Sequence, residues 1–383
     1  MIRSSNAEGR DLEIYRGGGE LDLPAVERAL QALWKRASAE HAGEGRPPVT
    51  RVGTLNLLAL AEESTAAESA LGEMLEISAH HPGRIFLLET TPEPGALRAE
   101  VSAHCHLRGG GGQVCSEIIR VRIGEPVEPR VHSVVAPLLI PDLPVVLWLP
   151  GDPRHADPAE NLLRLVDRVV VDSHRAAARA AHFARLRRWD QTARLGLTDL
   201  AWQRLGRWRS LAAQLFQEEL AVSSPADLRE IEIEYVDAEE GRPCGRIEAL
   251  YFAAWVAARL GYAPASERFE PERGLAWEAT RADGTSLSAR FRPRSRAGEV
   301  AGDLHRIGLT AASGTVYEIT RGSEYCTALL CASSGQAPVV AANVDLRSRS
   351  RIEVLRASLE ERRPDPVLAE ALEWLLAAMH GTG

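Results

Sequence analysis

Near the middle of the chain the hydrophobic pattern is apolar without alternation. Residues 145–149 read Val-Val-Leu-Trp-Leu between Pro144 and Pro150, and residues 169–171 read Val-Val-Val after one helix-length segment. Such runs suit strands that are buried on both faces, as in a parallel sheet covered by helices. With residues 159–166 as the helix between them, the two runs predict a strand–helix–strand unit. The first half of the chain is therefore expected to form an α/β domain with a mixed or parallel sheet.

Upstream of this unit the pattern predicts helices, strands and a hairpin. Val26, Leu30 and Leu33 recur at the spacing of one helix face. Residues 97–107 and 113–123 flank a run of four glycines and form the two arms of a predicted β-hairpin, with the glycines as its flexible tip. The other elements predicted in the first half are helices at 23–41, 65–81, 131–139, 175–189 and 199–216 and strands at 50–60 and 84–89.

In the second half, strand and helix patterns alternate. Ile231, Ile233 and Tyr235 alternate with charged residues and predict a half-buried strand. The remaining predictions are an apolar helix at 247–260 that ends at Gly261, an antiparallel sheet between 275 and 346, and a helix at 366–379. A polar, proline-containing segment at 221–227 suggests a domain boundary. We therefore expect an α/β domain over residues 1–220 and an α+β domain with an antiparallel sheet over residues 221–383.

Composition and charge narrow the classes of function. Of the 383 residues, 45% are hydrophobic and 26% are charged, which is ordinary for a globular protein, and the net charge of −8 argues against general nucleic-acid binding. The longest apolar run, residues 134–149, is interrupted by prolines and Asp142 and is too short to span a bilayer. The first 20 residues lack the apolar core of a signal peptide. We therefore expect a cytoplasmic protein with neither a membrane nor a nucleic acid as partner.

The cysteines are five in number and are spread over the chain, which fits a reducing compartment better than a disulfide framework. Cys105 and Cys115 are equidistant from Gly110, so a symmetric hairpin places them opposite each other, where a bond is feasible. In the cytosol we expect two reduced, buried thiols. Histidines, cysteines and acidic residues show no metal-ligand spacing, and no dinucleotide or phosphate-loop motif occurs. The sequence therefore predicts neither a metal nor a cofactor.

One candidate ligand site lies where two predicted strands end. Ligands of open α/β sheets bind at the carboxyl ends of the strands. Asp152 follows the first strand, Asp172 and Ser173 follow the second, and Arg175 is close enough to reach into such a crevice. Asp172, Ser173 and His174 are triad residue types, but neighbours in sequence rarely converge on one proton path, so we expect Ser173 to cap a helix instead.

A candidate partner-binding surface lies between residues 199 and 216. Tryptophan and arginine together are enriched at interface hot spots. The candidate residues are Trp202, Arg204, Arg207, Trp208 and Arg209. The tryptophans also fall on one regular apolar stripe, which favours core packing for them over an interface. The arginines alternate with that stripe and are expected to be exposed.

The chain resembles a known family in several ordered motifs. These are Pro-Asp-Leu-Pro-Val-Val-Leu-Trp at 141–148, Val-Val-Val-Asp-Ser at 169–173, and Leu-Thr-Asp-Leu-Ala-Trp-Gln-Arg-Leu at 197–205 with Trp208-Arg209 after it. With His-Pro-Gly-Arg-Ile at 81–85, they resemble the glucose-6-phosphate dehydrogenase assembly protein family (OpcA) from about residue 80 to about residue 216. The match is looser beyond that.

The resemblance implies a non-catalytic assembly factor or allosteric activator, whose partner is glucose-6-phosphate dehydrogenase in the oxidative pentose phosphate pathway. Such a partner can act only by binding one state of the dehydrogenase better than another. Two alternatives remain: an enzyme that acts on a phosphorylated sugar, and a sensor that binds a phosphorylated sugar or nucleotide in the α/β crevice. The enzyme would be favoured if Asp172, Ser173 and Arg175 converged with a perturbed titratable group in a deep pocket. The sensor, which would relay ligand occupancy to the dehydrogenase, needs both a pocket and a partner surface.

Overall fold

The computed structural model divides into two compact units that interleave along the chain. The first comprises Met1–Val171, Gln191–Leu197 and Leu355–Arg363, and the second comprises Asp172–Asp190, Thr198–Val354 and Pro364–Gly383. The sequence predicts two domains that divide near residue 220, and this division stays a prediction. The structure describes residues 9–16, 22–43, 49–61, 64–91, 97–107, 113–124, 130–151, 158–217, 223–237, 246–265, 276–294, 303–322, 327–334, 337–361 and 363–380.

The first unit is built on a mixed sheet. In chain order its described elements are β1 (Gly9–Arg16), α1 (Leu23–Gly43), β2 (Val49–Arg51), β3 (Leu55–Ala61), α2 (Ser64–Ser78), β4 (Gly83–Thr91), β5 (Leu97–Leu107), β6 (Gln113–Gly124), α3 (Arg130–Val135), β7 (Val145–Trp148), α4 (Glu160–Leu165), β8 (Arg168–Val171) and β9 (Leu197–Asp199). The strand order is β1-β5-β6-β4-β3-β7-β8-β9, and β2 also pairs with β6.

The centre of this sheet is parallel, as the apolar runs predict. Strands β4, β3, β7 and β8 pair in parallel, and the side chains of β7 and β8 are buried throughout. Helix α4 connects β7 to β8, so the predicted strand–helix–strand unit is confirmed. A strand that has no polar face needs cover on both sides, and this is why its sequence does not alternate.

The hairpin of β5 and β6 confirms the predicted register but corrects the expected state of its cysteines. Cys105 pairs with Cys115 across the strands, and the two are joined as a disulfide with a Cα–Cα distance of 4.0 Å. The expectation of two reduced thiols was therefore wrong for this structure, because the symmetric register brings the two sulfur atoms within bonding reach. The glycine run at the hairpin tip lies outside the described residues.

The second unit is an α+β structure. Its described elements are α5 (Ala180–Thr192), α6 (Leu200–Arg204), α7 (Gly206–Gln214), β10 (Leu228–Val236), α8 (Arg246–Arg259), β11 (Ala263–Pro264), β12 (Ala276–Thr280), β13 (Ser286–Arg294), β14 (Leu304–Ala311), β15 (Val316–Arg321), β16 (Thr327–Ser334), β17 (Ala337–Asp345), α9 (Arg351–Ser358) and α10 (Pro366–His380). The strand order is β11-β12-β13-β10-β14-β15-β16-β17, and the pairs are antiparallel except for β10 with β13.

The alternating pattern of the second half is confirmed in this sheet. Ile231, Ile233 and Tyr235 are buried, and helices α8 and α10 pack together near this buried face. Helix α8 is buried on nearly all sides, and the chain leaves it through Gly261, whose φ of +74° is one that glycine adopts without strain. The two halves therefore have the predicted fold classes, α/β with a mixed sheet and α+β with a largely antiparallel sheet.

Some element boundaries differ from the sequence predictions. Residues 50–60 form two strands, β2 and β3, and residues 199–216 form two helices, α6 and α7, which meet at Leu205. Helix α5 begins at Ala180 instead of residue 175, because Ser173–Arg175 first form a 3₁₀ turn. Strand β1 and helix α9 carried no sequence prediction. Among the described helices, none is long and apolar enough to cross a membrane.

Candidate functional site

A cluster of charged and polar side chains in the second unit contains three of the sequence candidates, Asp172, Ser173 and Arg204. Asp172 and the 3₁₀ turn Ser173–Arg175 follow β8, and Asp199 caps the amino terminus of α6. Arg204 ends α6, and α8 contributes Glu248 and Tyr251 from its buried first turns. Three separate segments of chain therefore meet at this cluster.

The centre of the cluster is a two-pronged ion pair. Arg204 donates to both carboxylate oxygens of Asp172, with N–O distances of 2.8 and 2.7 Å, and Arg351 lies 3.6 Å from the same carboxylate. Burial alone would raise the pKa of Asp172, but the hydrogen bonds and charge of Arg204 outweigh it and lower this pKa to about 2. Asp172 is therefore charged at neutral pH and fully engaged.

A histidine–carboxylate contact adjoins this pair. His174 Nδ1 lies 2.6 Å from Glu248 Oε1, and Arg204 lies 3.8 Å from the same oxygen. Burial opposes the charged imidazolium, but the carboxylate of Glu248 dominates and raises the pKa of His174. The other carboxylate oxygen of Glu248 is buried and has no hydrogen-bond partner among the described residues. Arg204 thus balances the charge of Glu248. His174 adds to this balance when its imidazole ring is protonated.

Asp199 lies in the most deeply buried part of the cluster. Its carboxylate accepts hydrogen bonds from the backbone N–H groups of Ser173 and Ala201, at 3.1 and 3.0 Å, and from the hydroxyl of Tyr251, at 2.8 Å. Burial raises the pKa of Asp199 to about 6, even though these donors favour the charged form. Burial also raises the pKa of Tyr251 well above its usual value. Asp199 is therefore a core carboxyl group that titrates near neutral pH.

The geometry does not offer an accessible nucleophile at this place. Ser173 is fully buried, and its hydroxyl lies 3.0 Å from Nε2 of His182. The carboxylate of Asp172 is engaged by Arg204, and His174 contacts Glu248. Asp172, Ser173 and His174 thus point to three different partners instead of sharing one proton path. What the arrangement can do is lock α6 and α8 to the turn after β8 and take up protons near pH 6.

Sequence reasoning missed three residues of this cluster, Asp199, Glu248 and Tyr251. Asp199 lies within one of the ordered motifs without an assigned role, although an aspartate immediately before a helix is a capping signal. Glu248 lies in an otherwise apolar helix, and a carboxylate there requires a partner. The identity of that partner, His174, could not be read from the sequence, because 74 residues separate the two side chains.

The structure places the candidate ligand-binding residues in different environments. Asp172 and Ser173 are engaged as described, Arg175 is exposed, and Asp152 lies outside the described residues. Their role in ligand binding stays a prediction.

Two cavities of the first unit lie at the other ends of its strands. One of about 150 Å³ is lined by Thr54, Pro144 and Asp167, each of which immediately precedes a parallel strand. A more open one of about 310 Å³ is lined by residues that include Arg51 and Glu117. The sequence analysis predicts a ligand crevice at the carboxyl ends of the strands, whereas these two cavities lie at the amino ends.

The candidate partner-binding residues differ in exposure. The expectation of exposed arginines was wrong for Arg204 and Arg209, which are half-buried because each contacts another side chain of the fold. Trp202 is fully buried, with its indole N–H donating to Asp365 at 2.7 Å and the guanidinium of Arg209 3.7 Å above its ring. Trp208 is buried as well. Arg207 is exposed, and it donates to the backbone oxygen of Asp345 at 3.0 Å. Burial supports a packing role for the tryptophans, and partner binding by this segment stays a prediction.

Among the described residues, no group of three or more histidine, cysteine, aspartate or glutamate side chains is arranged to hold a metal ion. The charged cluster is therefore described by its ion pairs and hydrogen bonds alone.

The fold and the ordered motifs define a protein with an α/β first half and an α+β second half, whose charged cluster joins separate segments. Two domain models of one family, the glucose-6-phosphate dehydrogenase subunit or assembly family OpcA, cover most of the chain. The model of the family's N-terminal domain matches residues 75–188, and the model of its C-terminal domain matches residues 195–372. The chain belongs to this family, and the resemblance noted in the sequence is confirmed.

Curated relatives come from cyanobacteria. A protein of Nostoc punctiforme named "OxPP cycle protein OpcA" is 27% identical over 312 residues, which are 78% of this chain and 62% of the relative. A Synechocystis protein of the same name is 28% identical over 66% of this chain and 50% of the relative. The chain thus spans between half and two thirds of the length of these relatives.

Solved structures resemble the fold only loosely. One is the biliverdin reductase of Synechocystis in complex with biliverdin and NADP⁺, which is 11% identical with a TM-score of 0.44 over 85% of this chain and 98% of that chain. A likeness at this level carries no argument about function.

Proposed function

We propose that this chain is a non-catalytic partner of glucose-6-phosphate dehydrogenase in the oxidative pentose phosphate pathway, acting as an assembly factor or allosteric activator through protein–protein binding. The observation that carries the proposal is the match of the two family domains, in order, over residues 75–188 and 195–372. The name of the cyanobacterial relatives, OxPP cycle protein, supports the same pathway.

The charged cluster supports a role without chemistry of its own. The side chains of Asp172, Ser173 and His174 are each engaged by another side chain of the fold, and Ser173 is fully buried. A nucleophile and its base need an accessible place for the reacting atom. The cluster is better suited to holding a surface in one shape, which a binding protein needs so that it does not lose affinity to conformational entropy.

Activation by binding requires a difference between two states of the dehydrogenase. A partner shifts an equilibrium only by as much as its affinities for the two states differ. A tenfold preference corresponds to about 1.4 kcal/mol, which a few contacts can supply. We therefore expect the chain to stabilise one oligomeric or substrate-binding form of the dehydrogenase.

Arg207 is the residue of the tryptophan–arginine segment that we propose for partner contact. It is exposed, whereas Trp202 and Trp208 are buried and Arg204 is engaged with Asp172. Arg207→Glu should weaken binding to the dehydrogenase and leave the thermal stability of the chain nearly unchanged. Arg164→Glu, at an exposed position of α4, is the matched charge control.

The direct test is a reconstitution with the dehydrogenase of the same organism. The chain is titrated into the dehydrogenase while NADPH formation and the assembly state are measured. A saturable rise in activity, or a lower requirement for glucose 6-phosphate, is expected, and the chain alone should turn over nothing. If the two proteins neither associate nor change the kinetics, the proposal is wrong.

We also propose a cytoplasmic location, because it fits a partner of glucose-6-phosphate dehydrogenase. Cell fractionation, with dehydrogenase activity as the marker, tests it. The chain should follow that activity, and its recovery in a membrane or secreted fraction would contradict the proposed location.

A further inference from the structure

The sheet of the second unit has one face that carries charged side chains in regular rows. Ile231, Ile233 and Tyr235 of β10 point to the buried face, so the alternate residues Glu230, Glu232 and Glu234 point to the other. We call this second side the outer face. Strands β13 and β10 lie side by side near its centre.

One row across the outer face joins four strands. In register, Ala276 of β12 lies beside Arg290 of β13, Arg290 beside Glu232 of β10, and Glu232 beside Gly308 of β14. The row therefore runs from a small residue through a positive and a negative one to a small residue. On the adjacent row Arg292 lies beside Glu234, which repeats the order of the two charges.

The side chains of these rows are held in place and remain open to solvent. Arg292 lies 2.6 Å from Glu232, and Arg306 reaches across Gly308 to Glu232 and Glu318, at 2.8 and 2.6 Å. The Arg306 guanidinium lies over Gly308, 3.4 Å from where a Cβ of that residue would be. Arg292 nevertheless remains 63% exposed. The centre of the outer face is thus flat, charged and ordered.

We propose that the outer face binds a second copy of this chain, face to face, around a two-fold axis that runs parallel to the strands between β13 and β10. Such a rotation exchanges the positions of β13 and β10. It places Arg290 of one copy on Glu232 of the other, and Arg292 on Glu234, each contact occurring twice. The rotation also brings Ala276 of one copy opposite Gly308 of the other, where the Arg306 guanidinium lies.

The charge order selects a second copy as the occupant. The arginines of β13 form a positive stripe on one side of the axis, and the glutamates of β10 form a negative stripe on the other side. Rotation about the axis places each stripe on the stripe of opposite charge, so the face is complementary to itself. A face with the two stripes in the reverse order would be repelled. The ion pairs within one sheet are partly exposed, with Arg292 at 63% and Glu232 at 29%, so a charge on the second copy can add to a pair without separating its two members.

The area fits a small interface. Under this rotation β13 lies over β10 and β12 lies over β14, and β13 and β10 have nine residues each whereas β12 has five. At about 3.3 Å per residue and about 4.8 Å between strands, the overlapping face covers roughly 450 Å² per copy, or about 900 Å² in total. This is at the low end for specific interfaces, so the charge pairing has to supply much of the affinity.

The test is a charge exchange measured by analytical ultracentrifugation of the full chain without the dehydrogenase. The wild type is expected at twice the 41.7 kDa of one chain. Arg292→Glu alone places two like-charged contacts in the homodimer, and so does Glu234→Arg alone. Each should raise the dimer dissociation constant at least about tenfold. An equimolar mixture of the two variants restores both contacts and should return to wild-type affinity.

Two further measurements keep the test decisive. Arg164→Glu changes an exposed charge on α4 and should leave the dimer unchanged. If a reversal variant fails to fold, the wild type alone serves, because dimerisation through exposed charges should weaken roughly tenfold or more between low and high salt. A wild type that stays monomeric at micromolar concentration, or reversal variants that still dimerise as the wild type does, would overturn the proposal.

Discussion

Arg204 holds both carboxylate oxygens of Asp172 in a two-pronged ion pair, across 32 residues of sequence. The side chain of Arg204 is only 19% exposed and that of Asp172 only 12%, so water cannot fully solvate either charge when its partner is removed. Arg204→Ala should therefore lower the free energy of unfolding by about 3–5 kcal/mol, as expected when one partner of a buried ion pair is removed. Urea denaturation at neutral pH measures this loss.

Two variants qualify that prediction. Arg204→Lys keeps the charge but not the planar fork, so it should recover part of the loss. Arg164→Ala breaks an exposed pair with Glu160 and should change stability by no more than about 0.5 kcal/mol. An Arg204→Ala variant as stable as the Arg164→Ala control would show that the ion pair does not hold the cluster together.

Asp199 should make the stability of the protein fall as the pH rises toward neutrality. Its pKa is about 6 in the folded state and 3.8 in an unperturbed aspartate. Asp199 therefore makes its full contribution to the free energy of unfolding below pH 4, and this contribution is lost as the pH rises through about 6. The size of the loss is about 3 kcal/mol. Denaturation curves between pH 4 and pH 8 measure it.

Asp199→Asn isolates this effect. The amide oxygen can still accept from the N–H groups of Ser173 and Ala201, but the residue no longer titrates. The decline between pH 4 and 7 should therefore be smaller in the variant than in the wild type. His174 also makes stability fall as the pH rises, but above pH 6.5, because its pKa is raised. Asp172 makes stability fall as the pH decreases below about 4, because its pKa is lowered. Parallel curves for the two proteins would contradict the prediction.

The Cys105–Cys115 disulfide closes a short loop and should contribute about 2–3 kcal/mol to the free energy of unfolding. Reduction, or the double substitution Cys105→Ser/Cys115→Ser, should lower stability by that amount without changing the fold. Cys331→Ser removes a free thiol and is the control. Because both cysteines are buried, the thiols are titrated in denaturant without a reductant: neither Cys105 nor Cys115 should then react, and two additional reactive thiols would show that the bond is absent.

Two glycines should respond to alanine in opposite directions. A Cβ on Gly83, at the start of β4, would lie 2.1 Å from the backbone oxygen of Leu55, and backbone of the parallel partner strand cannot turn aside. Gly83→Ala should cost at least about 2 kcal/mol. Gly72 lies within α2 and has open space around its Cβ position, so Gly72→Ala should stabilise by about 1 kcal/mol. Thermal denaturation of the two variants compares them directly.

The tertiary structure decided the state of the charged cluster and the role of the tryptophans. Asp172 and Arg204 stood among the sequence candidates in different roles, one for a ligand and one for a partner, yet they bind each other. No periodicity could show this, because the pairing depends on how the turn after β8 meets the end of α6. The same holds for Glu248 and His174, and for Trp202, whose indole N–H reaches Asp365.

The sequence by itself determined the two fold classes, the parallel centre of the first sheet, the hairpin register and the helix that ends at Gly261. These follow from local rules, since apolar periodicity and glycine placement act over a few residues. Only the tertiary structure decided which polar side chains are buried together, which cysteines bond, and which arginines stay exposed. Those outcomes depend on contacts between distant segments, and the free energy of each contact is set by burial and by the partner that the fold supplies.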